Sequence, residues 1–209
     1  MRVDLIELLR CPASHALTPL VTVANQRDGE SLIDGMLGCP VCGAEFTLHD
    51  GLVRLGDPVV PSHDAARAVD AERTAALLGV SLPEQRVVLC GAYASVAAQI
   101  ASETGAQCLV VNAPRRATLG RTIDQLALGP AARWPLANAS CHGVAVDPAH
   151  VALLTDVARI VRPGGRVVAP VAAPVPVGCR ELARDAQEWV AEVESVSAPV
   201  TLRYSPPPS

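Results

Sequence analysis

Apolar runs of strand length, alternating with small-residue helical stretches, constrain this chain more than any other feature. "RVVLC" at 86–90 leads into a Gly-containing turn, the helical stretch "ASVAAQIASET" and Gly105, and then "QCLVVN" at 107–112. The pattern returns with "GVAVD" at 143–147, "AHVALLTDVARIV", the turn "RPGG" and "RVVAPV" at 166–171. Strands that are apolar throughout have both faces buried, and strands joined through helices run parallel. The expected class is therefore α/β, a mostly parallel sheet with helices on both faces. Ahead of it, "HDAARAVDAERTAALLGV" predicts a helix with Ala and Leu on its buried side, closed by Gly79. Near the end, "EWVAEVES" and "PVTLRYS" read as an antiparallel pair at the sheet edge. The stretch 113–142 is less readable.

The first quarter has a different texture. "VDLIELLR" is a short amphipathic helix with Leu5, Leu8 and Leu9 on one side, and it runs directly into "CPASHALTPLV". After an acidic, Gly-containing turn, "GMLGC" and "EFTLHDGLVRL" read as short strands flanking "CPVCG" at 39–43, with Asp50-Gly51 as a tight turn. "GDPVVPSHD" reads as a linker, which divides the chain into a small domain, 1–56, and a larger one, 62–209.

"CPVCG" is the most specific local signal. Two cysteines two residues apart, with Gly after the second, form a zinc knuckle whose turn aims both thiolates at one ion while its N–H groups hydrogen-bond to the sulfurs. A tetrahedral site needs a second pair. Cys11 of "CPAS" is present, but Ser14 stands where another cysteine would be, so the metal-ligand candidates are Cys11, Cys39 and Cys42, with His15 or water in fourth place. The alternative is a metal-free knuckle held by its apolar residues. His49 and His63 lack ligand spacing to the cysteines and read as surface or turn residues.

Composition narrows the partners. Half of the 209 residues are hydrophobic, enough for a core, but with 2% aromatics that core is Val, Ala and Leu, and few rings remain to stack on bases. Seventeen Arg and no Lys give a net charge of −4, spread so that neither part is a basic platform, which argues against a nucleic-acid partner. Arg115, Arg116 and Arg121 form the one local cluster and read as a solvated loop. No segment reads as a membrane span, and "MRVDLIELLR" lacks a signal-peptide core, so a cytoplasmic protein is expected. Its seven cysteines are then metal ligands or buried small hydrophobes, not disulfides.

The order "DLIELLRCP…L…GCPVCGAEFTLHDGLVRL" resembles the zinc-ribbon family of the tRNA-methyltransferase activator subunit and its small bacterial relatives. The shared pattern is a leucine-rich helix, a Cys-Pro knuckle, a Cys-Pro-x-Cys knuckle, an aromatic strand and an Asp-Gly turn. Members dock on methyltransferases and stabilise them, so the resemblance implies a zinc-ribbon fold and a protein partner or homodimer. Ser14 departs from the pattern.

A second resemblance covers roughly 86–205. "WPLANASCHGVAVDPAHVALLTDVARIVRPGGRVVAPV" is similar to the second half of a class I S-adenosylmethionine-dependent methyltransferase. There a Leu-Pro-Phe-x-Asp-x-Ser-Phe-Asp segment leads into the fourth strand, and a helix ends in Arg-Pro-Gly-Gly before the fifth. The implied fold is Rossmann-like and methyltransferase-type, with cofactor positions at Gly91, Tyr93, Asn112 and His142. The family's first loop is Gly-x-Gly-x-Gly after an acidic residue. Here Leu89 replaces the acid, only Gly91 survives, and Tyr93 and Ser95 put side chains where backbone should approach the cofactor. Asn112 replaces the carboxylate that grips both ribose hydroxyls, and lacks its charge. His142 replaces the Asp before the fourth strand, and Cys141 the aromatic beside it. Together these changes argue against S-adenosylmethionine binding. The groove over Gly91 is expected to be filled from within, with Tyr93 packed into it or folded back over the sheet edge and its hydroxyl seeking a partner such as Asn112 or the 141–142 turn.

Other chemistry is thin. Asp147 follows the fourth strand where methyltransferases place catalytic residues, and in principle pairs with His142 as acid and base. Cys90 and Cys141 have no identifiable partner for nucleophilic work and are expected to be buried. The leading expectation is a non-catalytic methyltransferase-like binding or scaffolding protein with an activator-type zinc ribbon. The alternatives are an active methyltransferase carrying its activator module in cis, or an activator subunit of a separate methyltransferase. The ribbon should pack on the sheet domain, because 56 residues with one Phe hold too little core to stand alone.

Overall fold

The computed structural model describes residues 1–57, 68–114, 123–129 and 133–195. Expectations for His63, for Arg115, Arg116 and Arg121, for most of the linker and for "PVTLRYS" lie outside the described residues.

One turn of helix, α1 (Val3–Ile6), buries Leu5 and Ile6. An antiparallel meander follows, of β1 (Val21–Asp28), β2 (Ser31–Gly38), β3 (Glu45–His49) and β4 (Leu52–Arg54). β1 has no fully buried residue, and such an edge strand carries little apolar pattern to betray it.

Helix α2 (Ala71–Leu78) starts where the Asp70 carboxylate accepts the Arg73 N–H at 2.7 Å, and it ends at Gly79. Next come β5 (Arg86–Cys90), α3 (Ala97–Thr104) and β6 (Gln107–Val111), as the sequence predicts, except that a 3₁₀ segment, Gly91–Val96, takes the place of the turn and of the first residues of the expected helix. β7 (Ile123–Ala127) lies in the less readable stretch 113–142: all its residues are buried, Asp124 and Gln125 among them, and that polarity hid a central strand. After β8 (Cys141–Ala145) the expected long helix is instead a 3₁₀ segment, Pro148–Asp156, kinked at His150, followed by one α-helical turn, α4 (Val157–Ile160). "RPGG" is a bulge within β9 (Val161–Pro170), where pairing with β8 jumps from Cys141–Val161 to Gly143–Arg166. The edge is closed by β10 (Cys179–Arg184), unforeseen in the sequence, and by β11 (Glu188–Val193), which runs antiparallel between β9 and β10.

The 11 strands of the described residues form one sheet in the order β1-β2-β3-β4-β7-β6-β5-β8-β9-β11-β10. Five parallel strands, β7-β6-β5-β8-β9, follow the doubly wound order, with the topological switch point between β5 and β8. The N-terminal meander joins them through a parallel ladder in which Leu52, Val53 and Arg54 of β4 pair with Gln125, Leu126 and Ala127 of β7.

Because side chains alternate, this pairing sorts the core into two faces. On one, Val53, Leu126, Val111 and Val144 pack with Leu5 and Leu9 from the α1 region, Trp134, and Val157 and Ile160 of α4. On the other, Leu89, Val110, Ala145 and Val168 lie with Leu78 of α2 and Ile100 of α3. The first face takes residues from both ends of the described chain into one core. Arg2 fastens the join, its backbone N–H and Nε donating to the buried Asp124 carboxylate at 2.7 and 3.0 Å. No helix among the described residues is long and apolar enough to cross a membrane.

Candidate functional site

Four of the residues singled out in the sequence meet in the N-terminal segment. Cys11, His15, Cys39 and Cys42 place their ligand atoms within 4.8 Å of one another. Cys11 Sγ lies 3.7 Å from Cys42 Sγ, and His15 Nε2 lies 3.5 Å from Cys39 Sγ. For zinc–ligand bonds of usual length, the edges of a tetrahedron are about 3.75 Å between sulfurs and about 3.55 Å from nitrogen to sulfur. A Cys₃His donor set of this size fits a tetrahedral metal ion.

The local chain explains how His15 arrives one position after the missing cysteine. Its N–H donates to the Ala13 carbonyl at 2.8 Å, a tight turn that swings the ring back toward the sulfurs. Nδ1 then donates to the Ala16 carbonyl at 2.7 Å, which leaves the Nε2 lone pair on the thiol side. Opposite, the Gly43 N–H donates to the Cys39 carbonyl at 2.9 Å and closes the second knuckle. Burial pushes the Cys39 thiol up, but the N–H groups of Cys42 and Val41 and the thiols of Cys42 and Cys11 outweigh it and hold it at about 6. Burial pushes the Cys11 thiol up to about 11. A bound cation would draw protons off such thiols, since only thiolates ligate.

The second candidate is the crevice at the switch point, where β5 and β8 end. Gly91 follows β5 at a φ of +62°, and a Cβ built on it would collide with Asp147 Oδ2. Asp147 is 4% exposed; its Oδ2 accepts the Ala92 N–H at 2.9 Å, and its Oδ1 is bonded by Nδ1 of the buried His150. A carboxylate of the protein itself therefore occupies the cradle that the glycine leaves. Sequence reasoning missed His150. Its signal was the spacing Asp147-Pro148-Ala149-His150, because a turn opened by proline brings positions three apart together.

The other singled-out positions lie elsewhere. Tyr93 is buried against the second core face and donates its hydroxyl to Glu188 Oε2 at 2.6 Å, on β11, instead of to Asn112 or the 141–142 turn. Asn112, at a φ of +51°, is committed to backbone: its Nδ2 donates to the Leu128 carbonyl at 3.0 Å and its Oδ1 accepts the Leu128 N–H at 2.8 Å. His142 corrects the sequence expectation most clearly. It stands near the start of β8, whereas Asp147 stands beyond its end, about 16 Å away at the rise of a strand. Its Nδ1 accepts the Arg86 N–H at 3.1 Å, so it belongs to the opposite rim and is no partner for Asp147. Cys90 and Cys141 are buried, and burial pushes both thiols up, that of Cys141 to about 12.

No family model and no curated protein matches this chain. Solved structures do. A complex between the Haloferax volcanii Trm112 methyltransferase activator and a methyltransferase matches at 12% identity over 60% of this chain and 89% of that one, with a TM-score of 0.49. The antibiotic-resistance methyltransferase Kmr matches at 12% identity over 62% of this chain and 95% of that one, with a TM-score of 0.41. Geranyl diphosphate C-methyltransferase from Streptomyces coelicolor A3(2) matches at 14% identity over 47% of this chain, with a TM-score of 0.38; the match spans 43% of that enzyme, less than half its length. The likeness is to methyltransferases and concerns the course of the backbone. The chemistry has to be read from the site's own atoms.

Proposed function

We propose that this chain is a non-catalytic, methyltransferase-like binding protein whose N-terminal knuckles hold a structural zinc ion. The observation that carries the reading is the Asp147 carboxylate lodged over Gly91. It takes the Ala92 N–H that a ligand would need, and His150 holds it there. Asn112 adds to this, since an amide spent on Leu128 has little left for ribose hydroxyls. Zinc would be held by Cys11, His15, Cys39 and Cys42, and four protein ligands leave no open position for a reacting water. Its role would be to staple a small, core-poor segment. The ligand is then a protein partner, consistent with the resemblance of the first quarter to a docking module.

Calorimetric titration of the whole chain with S-adenosylmethionine and S-adenosylhomocysteine tests the reading. No binding is expected up to about 1 mM, and a Kd near 10 μM or below would overturn it. Elemental analysis should give about one zinc per chain, falling in Cys39→Ser; less than about a tenth of an equivalent would leave the knuckles metal-free. The β4–β7 ladder favours a second reading, a methyltransferase supported in cis by its own N-terminal module. Micromolar cofactor binding would select it.

A further inference from the structure

A cleft of about 230 Å³ lies where the N-terminal meander joins the parallel strands, away from the switch-point crevice. Among the described residues, its walls include His49, Leu52 and Arg54 on one side and Val110, Asn112 and Gln125 on the other. The register explains why these side chains converge. Leu52 pairs with Gln125, and Gln125 with Val110; Arg54 pairs with Ala127 one step further on. Paired residues of neighbouring strands point to the same face, here the face of Val110 and α3.

Among the described residues, two groups in this cleft lack partners. Gln125 is 3% exposed, and its Nε2 has no hydrogen-bond partner. A buried donor left unsatisfied is costly, and Gln125 lines the cleft, so a small turn of its amide would bring Nε2 to an acceptor held there. Arg54 sits diagonally across from it, with backbones about 8 Å apart, and no carboxylate among the described residues neutralises its guanidinium. His49 at the rim is already compensated, its Nδ1 bonded to Asp34 Oδ1 at 2.7 Å. Among the described residues, the cleft thus offers the Arg54 guanidinium, the Gln125 amide and an apolar lining from Leu52, Val110 and Ala127.

We propose that this cleft binds a small organic monocarboxylate, its acid group shared between Arg54 and the Gln125 amide and its apolar body resting on Leu52 and Val110. The Arg54 guanidinium and the Gln125 amide together match the two oxygens and the single negative charge of one carboxylate. The volume lies below the roughly 300 Å³ at which drug-sized sites begin, which sets the ligand at one ring or a short branched chain.

Benzoate is the probe, titrated into the isotope-labelled full chain while the Gln125 side-chain amide and the Val110 and Ala127 backbone amides are followed by NMR. Saturable shifts with a Kd of about 0.1–5 mM are expected, with benzyl alcohol and inorganic phosphate at least about tenfold weaker. Arg54→Leu, at an exposed position, should weaken benzoate by about tenfold or more, and Gln125→Leu should weaken it while the rest of the spectrum stays in place. No shift at Gln125 by about 20 mM benzoate, equal affinity in Arg54→Leu, or phosphate binding as well as benzoate would each overturn the proposal. Asn112 lines this cleft as well as standing at a cofactor position, so the two readings are told apart at the Gly91 and Ala92 amides, which lie outside the cleft's lining.

Discussion

Gly91 cannot gain a methyl group without moving Asp147. Gly91→Ala combines about 1–2 kcal/mol of left-handed strain with displacement of a buried, hydrogen-bonded carboxylate, so a loss of about 2–4 kcal/mol is expected in urea unfolding. Asp147→Ala should cost about 1–3 kcal/mol by itself, because the Ala92 N–H and His150 lose their acceptor. In the double variant the clash is gone, and the total should fall short of the sum by about 1–2 kcal/mol. Simple additivity would mean that the carboxylate is not over the glycine. His142 gives a pH signature. Burial, then the Arg162 and Arg86 charges, lower its pKa from 6.5, so the folded state takes up this proton less readily than the unfolded one. Stability is whole above about 6.5 and is lost as pH falls through the lowered folded value. Urea midpoints for His142→Gln should decline less over that window than the parent's; parallel curves would contradict the assignment. The clustering of Cys11, His15, Cys39 and Cys42 was legible because Cys-x-x-Cys spacing is local. Asp147 over Gly91 was not, because that contact joins two strand ends far apart in sequence, and only the strand order decides which ends meet.

Elements were legible in proportion to how apolar they are. "RVVLC" and "QCLVV" declared themselves as β5 and β6, and Gly79 and Gly105 marked the ends of their helices. "IDQLA" did not, although β7 is the strand on which both segments meet. Its polar residues answer nothing nearby in sequence: Asp124 pairs with Arg2, and Gln125 lines the cleft. No local periodicity can encode a partner from the other end of the chain. The Arg2–Asp124 pair should accordingly matter to the ladder more than a surface ion pair would. Arg2→Ala leaves a carboxylate that is 3% exposed without its cation, and a loss of about 3 kcal/mol is expected in denaturant unfolding. A change below about 0.5 kcal/mol would place the pair among ordinary surface bridges.

At the scale of the molecule, one sheet and a shared core bind the two segments together. Unfolding is expected as a single transition, and a chelator should lower its midpoint without splitting off a smaller one, by several degrees if zinc is bound. Two resolved transitions in calorimetry would show that the N-terminal segment folds by itself. The division into 1–56 and 62–209 rested on the change of texture at "GDPVVPSHD", and texture says nothing about pairing. The ladder between Arg54 and Ala127 also has a consequence in time. A ribosome adding about 5–20 residues per second finishes β4 some 4–15 s before β7 emerges to pair with it. Until then the first strands wait with an open edge, the state from which chains most readily pair with the wrong neighbour. The seam that joins the finished protein is thus also the last part of its first half to be satisfied during synthesis.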